Sequence, residues 1–144
     1  MRAQPFRLPE KERAVRWLVP YVVALLTLAC ADFVWLGVVS KAFVQRELGP
    51  LLLPQPNWTA AAIFYLLYPV ALLVFAVPHA QSGGASRAML YGALFGFFAY
   101  ATYDLTNLAT LKGWSVAFAA VDIAWGTLLS AAASGLAAWA LSRA

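Results

Sequence analysis

Charge is scarce in this chain. Only 11% of the 144 residues are Asp, Glu, Lys or Arg, whereas 63% are hydrophobic, and an ordinary soluble domain carries about a quarter charged residues. A soluble globular reading therefore fails. Cysteine and histidine are each present once. The lone Cys30 excludes an intrachain disulfide, and its place in an apolar run favours a small packing residue. The lone His79 argues against a histidine-rich di-iron centre and against histidine-ligated haem. No lysine lies within an apolar stretch, where a retinal Schiff base would need one. No Ser-His-Asp set and no glycine-rich phosphate loop are present, since nothing around Gly83-Gly84 could bind a nucleotide. The expectation is a protein without metal or cofactor.

What fills the chain is four long apolar stretches, at residues 17–39, 58–78, 88–111 and 114–141. Each is long enough for a bilayer-spanning helix, which needs about 20 residues. The expected fold class is all-α, a polytopic integral membrane protein built as a four-helix transmembrane bundle. Residues 1–16 form a basic cytoplasmic arm and residues 17–144 the transmembrane domain. A net charge of +4 could suggest nucleic acid, but five of the ten basic residues (Arg2, Arg7, Lys11, Arg13, Arg16) cluster ahead of the first apolar stretch. That placement is a topology signal. With the N-terminus cytoplasmic, Arg87 and Arg143 join those five, against Lys41, Arg46 and Lys112 outside, so N-in/C-in is expected and a nucleic-acid partner is not. The stretch before Cys30 faintly resembles a lipoprotein cleavage box, but Thr27 stands where a branched aliphatic residue belongs and the apolar run continues to Val39.

The connections differ in character. Residues 40–57 carry Gly49, Pro50, Pro54 and Pro56, which predict a loop, and its leucines predict that it lies along the outer interface or covers the bundle mouth. Pro78 ends the second stretch, and residues 79–87 read as a flexible cytoplasmic turn. Lys112-Gly113-Trp114 is so short that the third and fourth helices must be antiparallel neighbours. Trp58 and Trp114 suit an interfacial belt, and Asn57 suits a helix cap better than a glycosylation site.

Three aspartates fall inside the apolar stretches, where each costs about 2.5 to 3.5 kcal/mol to insert. Asp32 stands nine residues before Lys41, Asp104 eight before Lys112, and Asp122 eight after Trp114. At 1.5 Å per residue all three come out about 12 to 14 Å below one membrane face. Tyr65 and Tyr68 of the second helix reach a similar depth. One polar layer in the outer half of the bilayer is expected, with Asp32, Trp35, Tyr65, Tyr68, Tyr100, Tyr103, Asp104, Asn107, Asp122 and Trp125 as ligand- or proton-binding candidates. Intramembrane ionisable groups usually mark such a site; the alternative is a structural hydrogen-bond network. Small residues at four-residue steps, Ala88, Gly92 and Gly96 before Asp104 and Gly126, Ser130, Ser134 and Ala138 after Asp122, mark helix-packing stripes. Asp32-x-x-Trp35 and Asp122-x-x-Trp125 share a spacing on antiparallel helices, the pattern of an inverted repeat.

The segments Asp32-Phe33-Val34-Trp35-Leu36-Gly37, Asn57-Trp58 with Phe64-Tyr65-Leu66-Leu67-Tyr68, Gly92-Ala93-Leu94-Phe95-Gly96, the run from Ala99 through Asp104 to Thr110, and Val121-Asp122-Ile123-Ala124-Trp125-Gly126-Thr127 resemble the bacterial four-helix membrane proteins of domain-of-unknown-function family 2177. The resemblance runs from about Trp17 onward and implies a multi-pass protein of the bacterial inner membrane. It implies no activity. Three functions stay open: binding or proton-coupled transport of a small polar or cationic ligand; a non-catalytic accessory subunit of a membrane complex; and a membrane enzyme acting on lipid, with Asp104 or Asp122 as acid or base and Tyr65 or Tyr103 orienting the substrate. No nucleophile or redox centre is present, so a non-enzymatic role is expected. Membrane lipids, a second copy of the chain or another membrane protein are the expected partners.

Overall fold

The computed structural model describes residues 10–144, with side chains from residue 16. Helix α1 (Glu10–Val34) runs on through a π-helical turn, Trp35–Val39, into a short α2 (Lys41–Leu48). Helix α3 (Trp58–Phe75) ends in a 3-10 segment, Val77–Ser82, and two long helices follow, α4 (Gly84–Thr110) and α5 (Val116–Leu141). No strand occurs among the described residues. Three helical segments, Arg16–Val39, Trp58–Ser82 and Val116–Leu141, are long and apolar enough to cross a membrane. At 27 residues α4 is the longest helix, but tyrosine, threonine, aspartate and asparagine dilute its hydropathy.

Local chemistry sets the element ends. The Asn57 side chain accepts the Ala60 N–H at 3.1 Å and caps α3, and Ser115 accepts the Phe118 N–H at 3.1 Å and caps α5; both satisfy donors that a helix start leaves free. Between α4 and α5 the chain turns within a few residues because Gly113 takes φ +81°, a conformation open to glycine. Pro20 and Pro69 lie inside α1 and α3, where both are fully buried.

Helix α5 is the centre of the bundle. Helix α4 lies antiparallel along its whole length, α1 flanks its other side, and α3 fills the remaining face with its main contact on α1. The interior combines leucines with small and polar groups: Leu28, Leu72 and Leu129 cluster with Ala133, and Ala137, Ser130, Ser134, Asp32 and Asp104 are buried too, while Phe33, Val38 and Leu128 face outward. Small residues at the helix seams with large apolar groups on the outer surface is the arrangement of helices packed in lipid. Gly92 and Gly96 make the α4–α5 approach close. A Cβ on Gly96 would overlap the Gly126 carbonyl and stand 2.5 Å from Ser130 Oγ, and one on Gly92 would overlap Ser134 Oγ and stand 2.5 Å from the Ser130 carbonyl.

Three expectations change. The connection 40–57 holds helix α2, because its prolines all fall after Leu48 and leave Lys41–Leu48 free to coil. Residues 79–87 are an ordered 3-10 segment running into α4, with the His79 ring stacked on Tyr91 at 3.5 Å. Cys30 is exposed on the outside of α1, so it packs nothing in the interior. The first helix starts at Glu10, ahead of the apolar stretch; the rest of the basic arm, residues 1–9, lies outside the described residues.

Candidate functional site

The antiparallel course of the helices brings the C-terminal part of α1, the N-terminal part of α3, the C-terminal part of α4 and the N-terminal part of α5 to one end of the bundle. Asp32, Asp104 and Asp122 therefore share that end, in two hydrogen-bonded sets on either side of α5.

On the α1–α3 side, Asp32 is only 5% exposed. Its two oxygens accept the Trp125 indole N–H at 2.8 Å and the Tyr65 hydroxyl at 3.1 Å, so one carboxyl ties three helices together. Trp35 stacks flat on Trp125, with ring centroids 4.4 Å apart and planes 7° from parallel. The π-helical turn starting at Trp35 holds that ring in place, since its carbonyl accepts both the Ser40 N–H at 2.7 Å and the Ser40 hydroxyl at 2.8 Å. One extra residue in the turn is the kind of local irregularity that recurs at functional sites. Tyr68 lies just below, its hydroxyl paired with Ser130 Oγ at 2.8 Å.

On the α4 side, Asp104 is completely buried. Its Oδ1 accepts the Trp114 indole N–H at 3.2 Å, and its Oδ2 has no donor. The other group within hydrogen-bonding reach is the Asp122 carboxyl. Two carboxylates both accept and neither donates, so a hydrogen bond between them needs a proton. No basic side chain forms an ion pair with any of the three aspartates among the described residues. Asp122 also helps line a cavity of about 330 Å³, whose other walls are Phe64 and Tyr68 of α3 and Ala99, Tyr100 and Tyr103 of α4. The Tyr100 ring is seated on Gly126, where any side chain would collide with it.

Of the sequence candidates, Asp32, Trp35, Tyr65 and Trp125 form the first set and Asp104 with Asp122 the second. Tyr68, Tyr100 and Tyr103 wall the cavity. Asn107 makes no side-chain hydrogen bond to any of the three aspartates among the described residues. The paired Asp-x-x-Trp motifs do not behave alike: Asp32 bonds Trp125, whereas Asp122 turns to Asp104 and makes no hydrogen bond to Trp35 among the described residues.

Sequence reasoning missed Trp114 as a member of the Asp104 set. The signal was Gly113, whose left-handed turn folds the next residue back over α4. It also missed Phe64 and Ala99 as cavity walls, and the tie that holds α2 down: Glu47 accepts the Ser115 hydroxyl at 2.5 Å and the Arg46 guanidinium at 2.9 Å. The Ser115 hydrogen bond first, and Arg46 second, hold the Glu47 carboxyl below its usual range.

A family model described as predicted membrane protein (DUF2177) matches residues 17–139. No curated protein and no solved structure matches the chain.

Proposed function

The chain belongs to the DUF2177 family of predicted membrane proteins, and from that premise we propose that it binds a small cationic ligand at Asp122 and exchanges it for a proton. In this reading all four long helices cross the bacterial inner membrane as one bundle, both termini are cytoplasmic, and the aspartates lie in the outer half of the bilayer. Seven basic residues on the cytoplasmic side against three outside support that orientation. At about 40 Å, α4 is long enough to span despite its polar residues.

The observation that carries the proposal is the Asp122 carboxyl in the wall of an aromatic cavity, paired with a buried Asp104 and with no basic side chain to neutralise either. Ring faces attract cations, and a carboxylate supplies the counter-charge. The cavity, about 330 Å³, is at the small end of the range for ligand sites. When a cation arrives beside Asp122, the proton shared with Asp104 leaves for water, so that net charge in the site is conserved. Asp32 is placed to hold the helices in register, because both its oxygens are already occupied.

Native mass spectrometry of protein gently extracted from its host membrane, beside Asp122→Asn at matched folding, tests the reading. A bound cation lost in the variant supports it. An empty protein that carries a partner subunit instead, unchanged by the substitution, points to an accessory role and discards ligand binding.

A further inference from the structure

The walls of the Asp122 cavity say how a ligand reaches it. Phe64 lies six residues inside the start of α3, and Ala99 and Tyr103 lie eleven and seven residues inside the end of α4. At 1.5 Å per residue the cavity is therefore about 9 to 16 Å in from the helix ends, at the depth of lipid tails and not of headgroups. Helices α3 and α4 touch at few points, and Tyr103 on the rim is 54% exposed. Towards the far end of the bundle the gap is shut by rings: Tyr68 meets Phe95 edge-on at 5.7 Å, and Phe95 stacks on Phe75 at 5.7 Å. The opening faces sideways.

The lining also restricts the chemistry. Apart from Asp122, the walls are aromatic rings, tyrosine hydroxyls and one methyl group. A phosphate would need a basic or N–H donor, and none lines the cavity, which argues against a zwitterionic phospholipid headgroup. At about 30 Å³ per water-sized group, the space holds roughly ten such groups. That is enough for a substituted ammonium and a few methylenes, with any longer chain left among the lipid tails.

We propose that the cleft between α3 and α4 is a lateral entrance and that the ligand is an amphiphilic ammonium ion, its charged head against Asp122 between Tyr100 and Tyr68 and its alkyl arm leaving through the cleft into the bilayer. This inference rests on the cation-binding reading above and adds the class of cation and its route.

The test uses the full chain in lipid nanodiscs, titrated with tetramethylammonium, hexyltrimethylammonium and decyltrimethylammonium, with hexyl and decyl sulfate as chain-matched anions and the summed fluorescence of the six tryptophans as signal. Affinity is expected to rise at least about tenfold from tetramethylammonium to the hexyl ion, since each methylene removed from water strengthens binding. The sulfates are expected not to compete, and Asp122→Asn to weaken all ammonium ions about tenfold or more. Ala99→Leu adds three carbons to the cavity wall and is expected to weaken the hexyl and decyl ions more than tetramethylammonium. Equal affinity across the ammonium series, still dependent on Asp122, overturns the lateral entrance and leaves cation binding standing. Sulfates that bind as well as ammonium ions, or no ammonium binding in a folded wild-type protein, overturn both.

Discussion

Replacing Gly96 by alanine tests whether the α4–α5 seam sets the geometry of the aspartate layer. The added methyl would overlap the Gly126 carbonyl and stand 2.5 Å from Ser130 Oγ, and ordinary contact begins near 3.4 Å. The obstacle on the Gly126 side is backbone, which cannot rotate away, so the helices must part by about 1 Å. A gap of that size forfeits a quarter to a half of each dispersion contact along the seam, and overpacking of this kind costs about 1 to 3 kcal/mol. At about 2 kcal/mol the folding equilibrium falls roughly thirtyfold. Because Tyr100 sits on Gly126 one turn away, the same parting moves a wall of the cavity. Titration of dodecyl sulfate into dodecyl maltoside micelles, followed by circular dichroism and tryptophan fluorescence, reads the change. Gly37→Ala is the control, since nothing lies within 4 Å of a Cβ there; it is expected to stay within about 0.5 kcal/mol of the parent. Equal stability of the Gly96→Ala and Gly37→Ala proteins would refute the close-packed seam.

Three further outcomes follow from the same contacts. Trp114→Phe removes the indole donor from the buried Asp104 and is expected to destabilise by about 1 to 3 kcal/mol, whereas Trp58→Phe, at a residue 74% exposed, is expected to be silent; the same micelle titration compares them. Tyr65→Phe removes one hydrogen bond between α3 and Asp32, worth about 0.6 kcal/mol and at most about 1.7 in a membrane interior, so a loss above that range would mean Asp32 does more than hold helices in register. The Glu47–Ser115 tie carries a pH dependence: the folded carboxyl is held below its unfolded value of 4.5, so the tie is fully present above that value and is lost as pH falls through the lower folded value. The protection factors of α2 amides, each measured against the intrinsic exchange rate at the same pH, are expected to fall in that acidic window, and Ser115→Ala to show the lower protection already at neutral pH.

The sequence alone determined that this chain is helical and membrane-embedded, because long apolar runs and scarce charge leave few other solutions in water or lipid. It also determined where Asp32, Asp104 and Asp122 stand along their own helices, since rise per residue is a fixed property of a helix, and the four-residue spacing of Gly92, Gly96, Gly126 and Ser130. Periodicity states which residues share a face, but not which face of another helix they meet. Only the tertiary structure decided that α5 is central, that Asp32 serves Trp125 and Tyr65 while Asp104 turns to Asp122, and that α3 and α4 stand apart around a cavity. Trp114 shows the difference most plainly. Its position suits an interfacial belt, and the chain turn at Gly113 also brings its indole N–H onto Asp104, a partner that spacing does not reveal. The identical spacing of the two Asp-x-x-Trp motifs likewise hides unequal partners, because a side chain's partner depends on the rotation of its helix about its own axis, and that rotation is fixed by packing.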